Sequence, residues 1–314
     1  MKVCYIGNCG HSKQAHAVLK KREGVELCGI APGSEYEDEA KLLKLGVPLY
    51  PSYEEMLDEL RPDLAVVSPV FGKTGEVIRA CAARGIDVFS EKPVATTLEE
   101  LDEVEKAVRT AGIRFSAMHF LRFRPSFYTA AQMVKSGAIG EVRLLTAQKS
   151  YKYGTRPAWY FDRALYGGTI PWVGIHAIDW VYAFSGKKFL SVTARSFGSP
   201  ETHALCQFEL EGGAMASVNL DYYRPAAAPT HDDDRIRCAG TDGVIEVIRD
   251  RITLIDKDGE RDVTPTEAPD LFACFLDGQD VISQDEIFYL TRVALCARDA
   301  ADSGEKIQIC KAEV

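Results

Sequence analysis

No apolar run in this 314-residue chain approaches the ~18 residues a helix needs to cross a bilayer, so no membrane-spanning helix is expected. Basic residues are in the minority: 37 Lys and Arg against 46 Asp and Glu leave a net charge of −9. A chain without a basic footprint is poorly suited to nucleic acid or an anionic membrane surface, and neither is expected as a partner. The nine cysteines (Cys4, Cys9, Cys28, Cys81, Cys206, Cys238, Cys274, Cys296 and Cys310) include no C-x-x-C pair. That spacing argues against a zinc site, and no metal is expected. Most lie in apolar stretches and read as small buried hydrophobes in a reducing cytoplasm. Repeats, low-complexity tracts and linkers are also lacking. Met1–Gly7 runs straight into a strand, without the apolar stretch and cleavage site of a signal peptide, so the expected location is cytoplasmic.

What is present is ordinary globular material, 46% hydrophobic and 26% charged. Such a chain can build a full core, and its length suggests two domains at roughly 100–200 residues each. The first third alternates strands (2–7, 25–31, 63–68, 86–90, 113–119) with helices (about 12–22, 35–45, 54–60, 73–84 and 97–111). Strand–helix alternation with short connections predicts a parallel sheet covered on both faces. The character changes near Arg122. A helix over about 125–136 is followed by longer period-2 strands at 189–197, 203–210, 214–222, 235–239, 243–248 and 251–256, and by a helix over about 284–303. Turns such as Glu211-Gly212-Gly213 between them predict a large, mostly antiparallel sheet. The expected fold class is α/β: a Rossmann-type domain over 1–121 and an α+β domain over 122–314.

After the first strand comes Gly7-Asn8-Cys9-Gly10-His11-Ser12 and then a helix. Glycine permits a tight turn, and a helix N-terminus receives a pyrophosphate. Against a G-x-G-x-x-G template only Gly7 matches, so the motif alone is weak. Gly7, Asn8, Cys9, Gly10 and His11 are the candidate phosphate contacts. The second strand ends Gly29-Ile30-Ala31-Pro32-Gly33-Ser34 with no acid at its tip; Glu35 and Glu37 follow. Neither Arg nor Lys occurs between Arg22 and Lys41. A 2′-phosphate would want a cation there, so NAD is expected rather than NADP. Ser34 either hydrogen-bonds a ribose hydroxyl or caps the next helix.

Several motifs then follow in order. Ser68-Pro69 and Ser90-Glu91-Lys92-Pro93 each end a strand. Next are His119-Phe120-Leu121-Arg122-Phe123-Arg124-Pro125, Gly167-Gly168-Thr169-Ile170-Pro171-Trp172-Val173-Gly174-Ile175-His176-Ala177-Ile178-Asp179, and Ala239-Gly240-Thr241-Asp242-Gly243. In that order and spacing the chain resembles the glucose–fructose oxidoreductase / inositol dehydrogenase / MocA family over essentially its whole length. Ligands of an open parallel sheet bind outside the carboxyl ends of its strands, which makes Ser68, Pro69, Glu91 and Lys92 candidate cofactor contacts. The resemblance implies that Lys92 contacts the reacting hydroxyl, that Glu91 helps place it, and that Pro93 shapes the turn, often through a cis bond. It also implies that His176 is a catalytic acid/base and Asp179 a supporting acid. One departure stands out. Where the family's polyol and sugar dehydrogenases commonly carry aspartate, four residues before the histidine, this chain has Trp172. An indole offers one donor and no acceptor, so it suits stacking on a sugar face rather than sharing a proton.

On the substrate side, Arg122 either holds the R-F-x-P turn or faces the cleft. The aromatic set Trp159, Tyr160, Tyr166 and Trp172 precedes His176; Tyr160 and Trp172 are the candidate substrate contacts, with Arg122 and Asp179. His231-Asp232-Asp233-Asp234-Arg235 reads first as a solvated acidic loop, then as a contact at the substrate's edge, and last as a metal site, and the role of Lys73 is open. The function these features imply is NAD(H)-dependent oxidoreduction of a secondary hydroxyl on a sugar, cyclitol or glycoside. Two alternatives remain: a glycosidase or lyase that keeps NAD bound and oxidises transiently, and a non-catalytic sensor on the same fold. An open sheet of this length also predicts a homodimer or homotetramer that covers its free face.

Overall fold

The computed structural model describes residues 1–309, and the chain forms two compact units. The first comprises Met1–Met118, Asp162–Gly167 and Leu271–Thr291; the second comprises His119–Phe161, Gly168–Asp270 and the chain from Arg292 onward. Cys310 lies outside the described residues.

In the first unit, β1 (Lys2–Ile6), β2 (Glu26–Ala31), β3 (Leu64–Val67), β4 (Asp87–Ser90) and β5 (Phe115–Ala117) form a parallel sheet in the order β2-β1-β3-β4-β5. Val3–Ile6 and Leu64–Val67 are almost wholly buried, as strands covered on both faces must be. The helices are α1 (Ser12–Leu19), α2 (Glu39–Leu42), α3 (Tyr53–Leu60), α4 (Thr74–Ala82) and α5 (Leu98–Ala111). Side-chain caps begin two of them: Ser52 accepts from the Glu54 and Glu55 amides, and Thr97 accepts from the Glu100 amide. The helix expected over 35–45 is shorter, because Glu37 folds back to accept from Gly33 and Val70 and makes this stretch a turn. From β1 the chain goes outward to β2, then returns past β1 to β3. That reversal opens a crevice at the carboxyl ends of β1 and β3.

Two later segments complete this unit: α7 (Arg163–Tyr166), and a stretch with α9 (Leu271–Leu276). Phe272 packs 4.5 Å from Phe89, and Phe288 stacks 5.1 Å from Phe115. Tyr166, grouped by sequence with the substrate-side aromatics, is buried against Phe71 at 6.3 Å.

The second unit contains α6 (Pro125–Lys135), α8 (Ile175–Ser185) and a nine-stranded sheet. Its strands are β6 (Val142–Ser150), β7 (Phe189–Gly198), β8 (Glu201–Leu210), β9 (Met215–Asp221), β10 (Arg235–Gly240), β11 (Gly243–Ile248), β12 (Arg251–Asp256), β13 (Gly259–Val263) and β14 (Ile307–Gln308). The order is β13-β12-β11-β10-β6-β9-β8-β7-β14, and all neighbours are antiparallel except β6 with β9. Helix α8 is apolar nearly all round because it is enclosed, between the β6–β9–β10 face and α6. Helix α10 (Gln284–Ser303) ends where the sequence placed it, before Gly304.

None of the eight described cysteines is joined in a disulfide, and five of them are buried: Cys4, Cys81, Cys206, Cys238 and Cys296. Burial pushes the Cys81, Cys206 and Cys238 thiols up to about 12, so they behave as packing groups rather than nucleophiles.

Candidate active site

The glycine turn after β1 is built by close backbone approach. Gly7 has φ +74°, and a Cβ on it would sit 2.5 Å from the Ser68 carbonyl oxygen. The Gly7 amide donates to Ala31 O and the Cys9 amide to Ser68 O, while the Ser68 hydroxyl donates to Cys9 O. Ser68 therefore clamps the β1–α1 turn from the end of β3. Helix α1 then starts with neither a capping side chain nor an acid in its first turn. An uncapped helix start beside a glycine turn fits a dinucleotide pyrophosphate.

The end of β4 is tied to this turn. The Glu91 carboxylate is fully buried, accepts from the His11 amide, and lies 3.0 Å from His11 Nδ1. Burial pushes its carboxyl up, but His11 and the adjacent Lys92 outweigh that and hold it below the usual range. Lys92 follows, 1% exposed, and the Lys92–Pro93 peptide bond is cis. Ser34 joins the Glu37 turn, accepting from the Tyr36 amide at 3.4 Å. Lys73 pairs with Glu76 on the surface at 3.3 Å.

In the second unit, His119, Arg122 and Asp179 form a buried set. Arg122 Nε donates to Asp179 Oδ1 at 2.7 Å, and His119 Nδ1 lies 3.2 Å from Asp179 Oδ2. Burial raises the Asp179 carboxyl, yet Arg122 and His119 together hold it below the ordinary range. Trp180 Nε1 donates to Leu121 O at 3.3 Å and fastens the turn that carries Arg122 to α8. Arg122 and Asp179 are thus joined to each other. His119 was present in the motif, but its partner was not readable because the two lie 60 residues apart. Trp172 occupies a π-helical turn, Ile170–Gly174, and is half-buried; His176 is in the first turn of α8 and 1% exposed.

The acidic run is not a solvated loop. Asp234 is fully buried, 2.6 Å from Lys149 Nζ and 2.7 Å from Arg124, and Asp232 pairs with Arg124 at 2.6 Å. Asp233 pairs with Arg235 at 2.7 Å. Burial pushes the Lys149 ammonium down to about 8 and the Asp234 carboxyl up to about 6. Among the described residues no cluster of His, Cys, Asp and Glu has the grouping of a metal site. Tyr160 is buried beside Trp159, and its ring also faces the Arg156 guanidinium. Sequence reasoning passed over Arg156; the signal available was one arginine inside the aromatic-rich stretch Tyr151–Tyr160.

Both halves of the chain resemble known proteins. Residues 1–119 match the oxidoreductase family with an NAD-binding Rossmann fold, and residues 127–246 match the GFO/IDH/MocA C-terminal domain. A solved Thermotoga maritima protein assigned as an oxidoreductase is 42% identical, with a TM-score of 0.94 over 98% of this chain and 100% of its own. A trans-1,2-dihydrobenzene-1,2-diol dehydrogenase of Xenopus laevis is 27% identical over 203 residues, 63% of this chain and 59% of that protein. The NADP-dependent D-xylose 1-dehydrogenase 2 of Haloferax volcanii is 27% identical over 226 residues, 70% of this chain and 67% of its own. With both halves matched, the chain belongs to the glucose–fructose oxidoreductase / inositol dehydrogenase / MocA family of oxidoreductases.

Proposed function

We propose that this protein is an NAD(H)-dependent dehydrogenase acting on a secondary hydroxyl of a sugar, cyclitol or glycoside. The observation that carries this reading is Lys92, a buried lysine at the carboxyl end of β4, directly after a glutamate bonded to the phosphate turn. In this reading residues 1–121 hold the nucleotide, and residues 122–314 hold the substrate and a second copy of the chain. Leu144, Leu205, Met215 and Ile248, apolar residues exposed on the sheet face opposite α8, would be covered by that copy. A nicotinamide cofactor, held by the Gly7–His11 turn and the start of α1, would supply the acceptor for the hydride that leaves the carbinol carbon. Lys92 donates a hydrogen bond to the reacting oxygen, and His176 takes the hydroxyl proton in oxidation or returns it in reduction. Arg122 and Asp179 position α8 and the 120–123 turn behind His176.

The test is a sugar and cyclitol panel read at the NADH absorbance, with mass spectrometry of any nucleotide retained on purification. No NADH from any member of the panel would sink the reading. Glycoside cleavage with nucleotide retained and no NADH accumulating would replace it with transient oxidation.

NAD is expected to bind more tightly than NADP. The Glu37 carboxylate sits at the carboxyl end of β2, accepting from Gly33 N at 2.7 Å and Val70 N at 2.9 Å. That is where the adenosine ribose is recognised, and a negative charge there opposes a 2′-phosphate. Burial pushes this carboxyl up to about 7, against the hydrogen bonds it accepts. The charge is therefore present above about pH 7 and lost below it. Discrimination against NADP, measured by calorimetry, should rise with pH through this range. Glu37→Gln should weaken that rise, leaving only the part due to the phosphate's own titration. NADP binding more tightly than NAD would instead assign its extra phosphate to Lys13 and Lys44, which line a 410 Å³ cavity with Asn8 and Gly10.

Trp172 is expected to serve substrate binding. Trp172→Ala should raise KM while leaving the pH dependence of turnover governed by His176. Trp172→Asp restores the acid common in relatives. It should move the activity profile to higher pH, because a nearby negative charge favours protonated His176. If neither variant changes KM, the pH profile or the substrate range, Trp172 is a packing residue.

A further inference from the structure

Among the described residues, Arg156 is a half-buried cation with no ion-pair partner. Its guanidinium carbon lies 4.8 Å from the ring centroid of Tyr222, 5.1 Å from Tyr160 and 5.6 Å from Tyr153. Its Nε is buried with no hydrogen-bond partner, and among the described residues the guanidinium forms no ion pair. The three acids that follow His231 each have another partner. Arg124 holds Asp232 and Asp234, Lys149 also holds Asp234, and Arg235 holds Asp233. Nearby His231 is held below its ordinary value by burial first, opposed by Asp232, then by the charges of Arg156, Lys152 and Lys149. Three aromatic walls fix the planar fork of Arg156 in place.

The position of this cage matters. Gly174, two residues before His176, packs on β9, where a Cβ would lie 3.1 Å from Leu220. Leu220 and Tyr222 are two apart and both buried, so they share the sheet face that carries α8. The Arg156 cage therefore lies on the His176 side of the sheet, at the carboxyl end of β9. A guanidinium offers parallel donors that match a carboxylate in a bidentate pair. A single charge is on offer. The Lys152 ammonium is bound by the carbonyls of Ala226 and Ala228, and that of Lys149 by Asp234. That count fits a monoanion better than a phosphate dianion.

We propose that Arg156 and its tyrosine cage form a carboxylate subsite, so that the substrate is an acidic sugar such as a hexuronate or hexonate. This rests on the dehydrogenase reading above and names its substrate class. The test compares hexuronates and hexonates with their parent hexoses and with hexose phosphates, for wild type, Arg156→Gln and Arg156→Lys. The expected result is a higher kcat/KM for the carboxylates. Arg156→Gln should raise their KM about 10–100-fold, the scale of one lost charge-assisted pair, with kcat less affected. The lysine variant should recover part of the loss, and both should keep the wild-type Tm and NAD affinity. A preference for neutral hexoses or for phosphates overturns the proposal. So does an acid-to-neutral ratio unchanged by Arg156→Gln. Calorimetry of D-glucuronate and D-gluconate on the NAD-loaded protein reads the subsite without turnover. Binding lost in Arg156→Gln supports the subsite even if no sugar is oxidised, which would fault the dehydrogenase reading alone; no binding to wild type overturns the subsite.

Discussion

Lys92→Ala lowers turnover by about 10²–10⁴ while NAD still binds: this is the largest effect expected of any single substitution in the chain. The magnitude is that of losing a positioned proton donor or acceptor. Retention of NAD follows from where the contacts lie. The pyrophosphate is offered the Gly7–His11 turn and the start of α1, whereas Lys92 lies beyond Glu91 at the end of a different strand. Removing a buried ammonium also removes one of the groups that holds Glu91 below the usual carboxyl range, so packing could suffer. Lys92→Met keeps most of the volume and separates the two effects. If both variants lose turnover and both bind NAD by calorimetry, the loss is chemical. Near-full activity in either variant on the true substrate would remove the basis for placing the reaction at the end of β4.

Asp179→Ala is expected to cost about 3–5 kcal/mol of stability, the scale of breaking a buried pair from one side. Without the carboxylate, the Arg122 guanidinium, 9% exposed, loses this charged acceptor, and fully buried His119 loses its neighbour. Replacing both partners, Arg122→Met with Asp179→Leu, should cost less than Asp179→Ala alone, since no uncompensated charge remains. The folded carboxyl is held below its unfolded value. Its contribution is therefore present above the unfolded value near pH 4 and lost as pH falls through the folded one. Asp179→Ala should flatten the acid side of the stability profile, read from urea midpoints across pH. A midpoint shift equivalent to less than about 1 kcal/mol would mean that water reaches Arg122 and that the set is not sealed.

Local chain chemistry was enough for much of this architecture. Buried strands, glycine stops and capping residues are signals carried by neighbours in the chain. They placed all five parallel strands and the helix over Gln284–Ser303. They also led from Ser90-Glu91-Lys92-Pro93 to a strand end. Strand β6 was missed because its alternation is broken at Arg143 and Leu144, which are both exposed. Its parallel pairing with β9 joins residues about 70 apart, which no local pattern records. The same limit applies to the site. Sequence could nominate Arg122, Asp179, Tyr160 and Trp172, but not that Arg122 closes on Asp179, or that Asp232–Asp234 are claimed by Arg124, Lys149 and Arg235. Those pairings arise when strands from distant parts of the chain bury charges that must then be neutralised. Only the tertiary structure decided which charges found partners, and among the described residues it left Arg156 held by tyrosine rings without an ion pair.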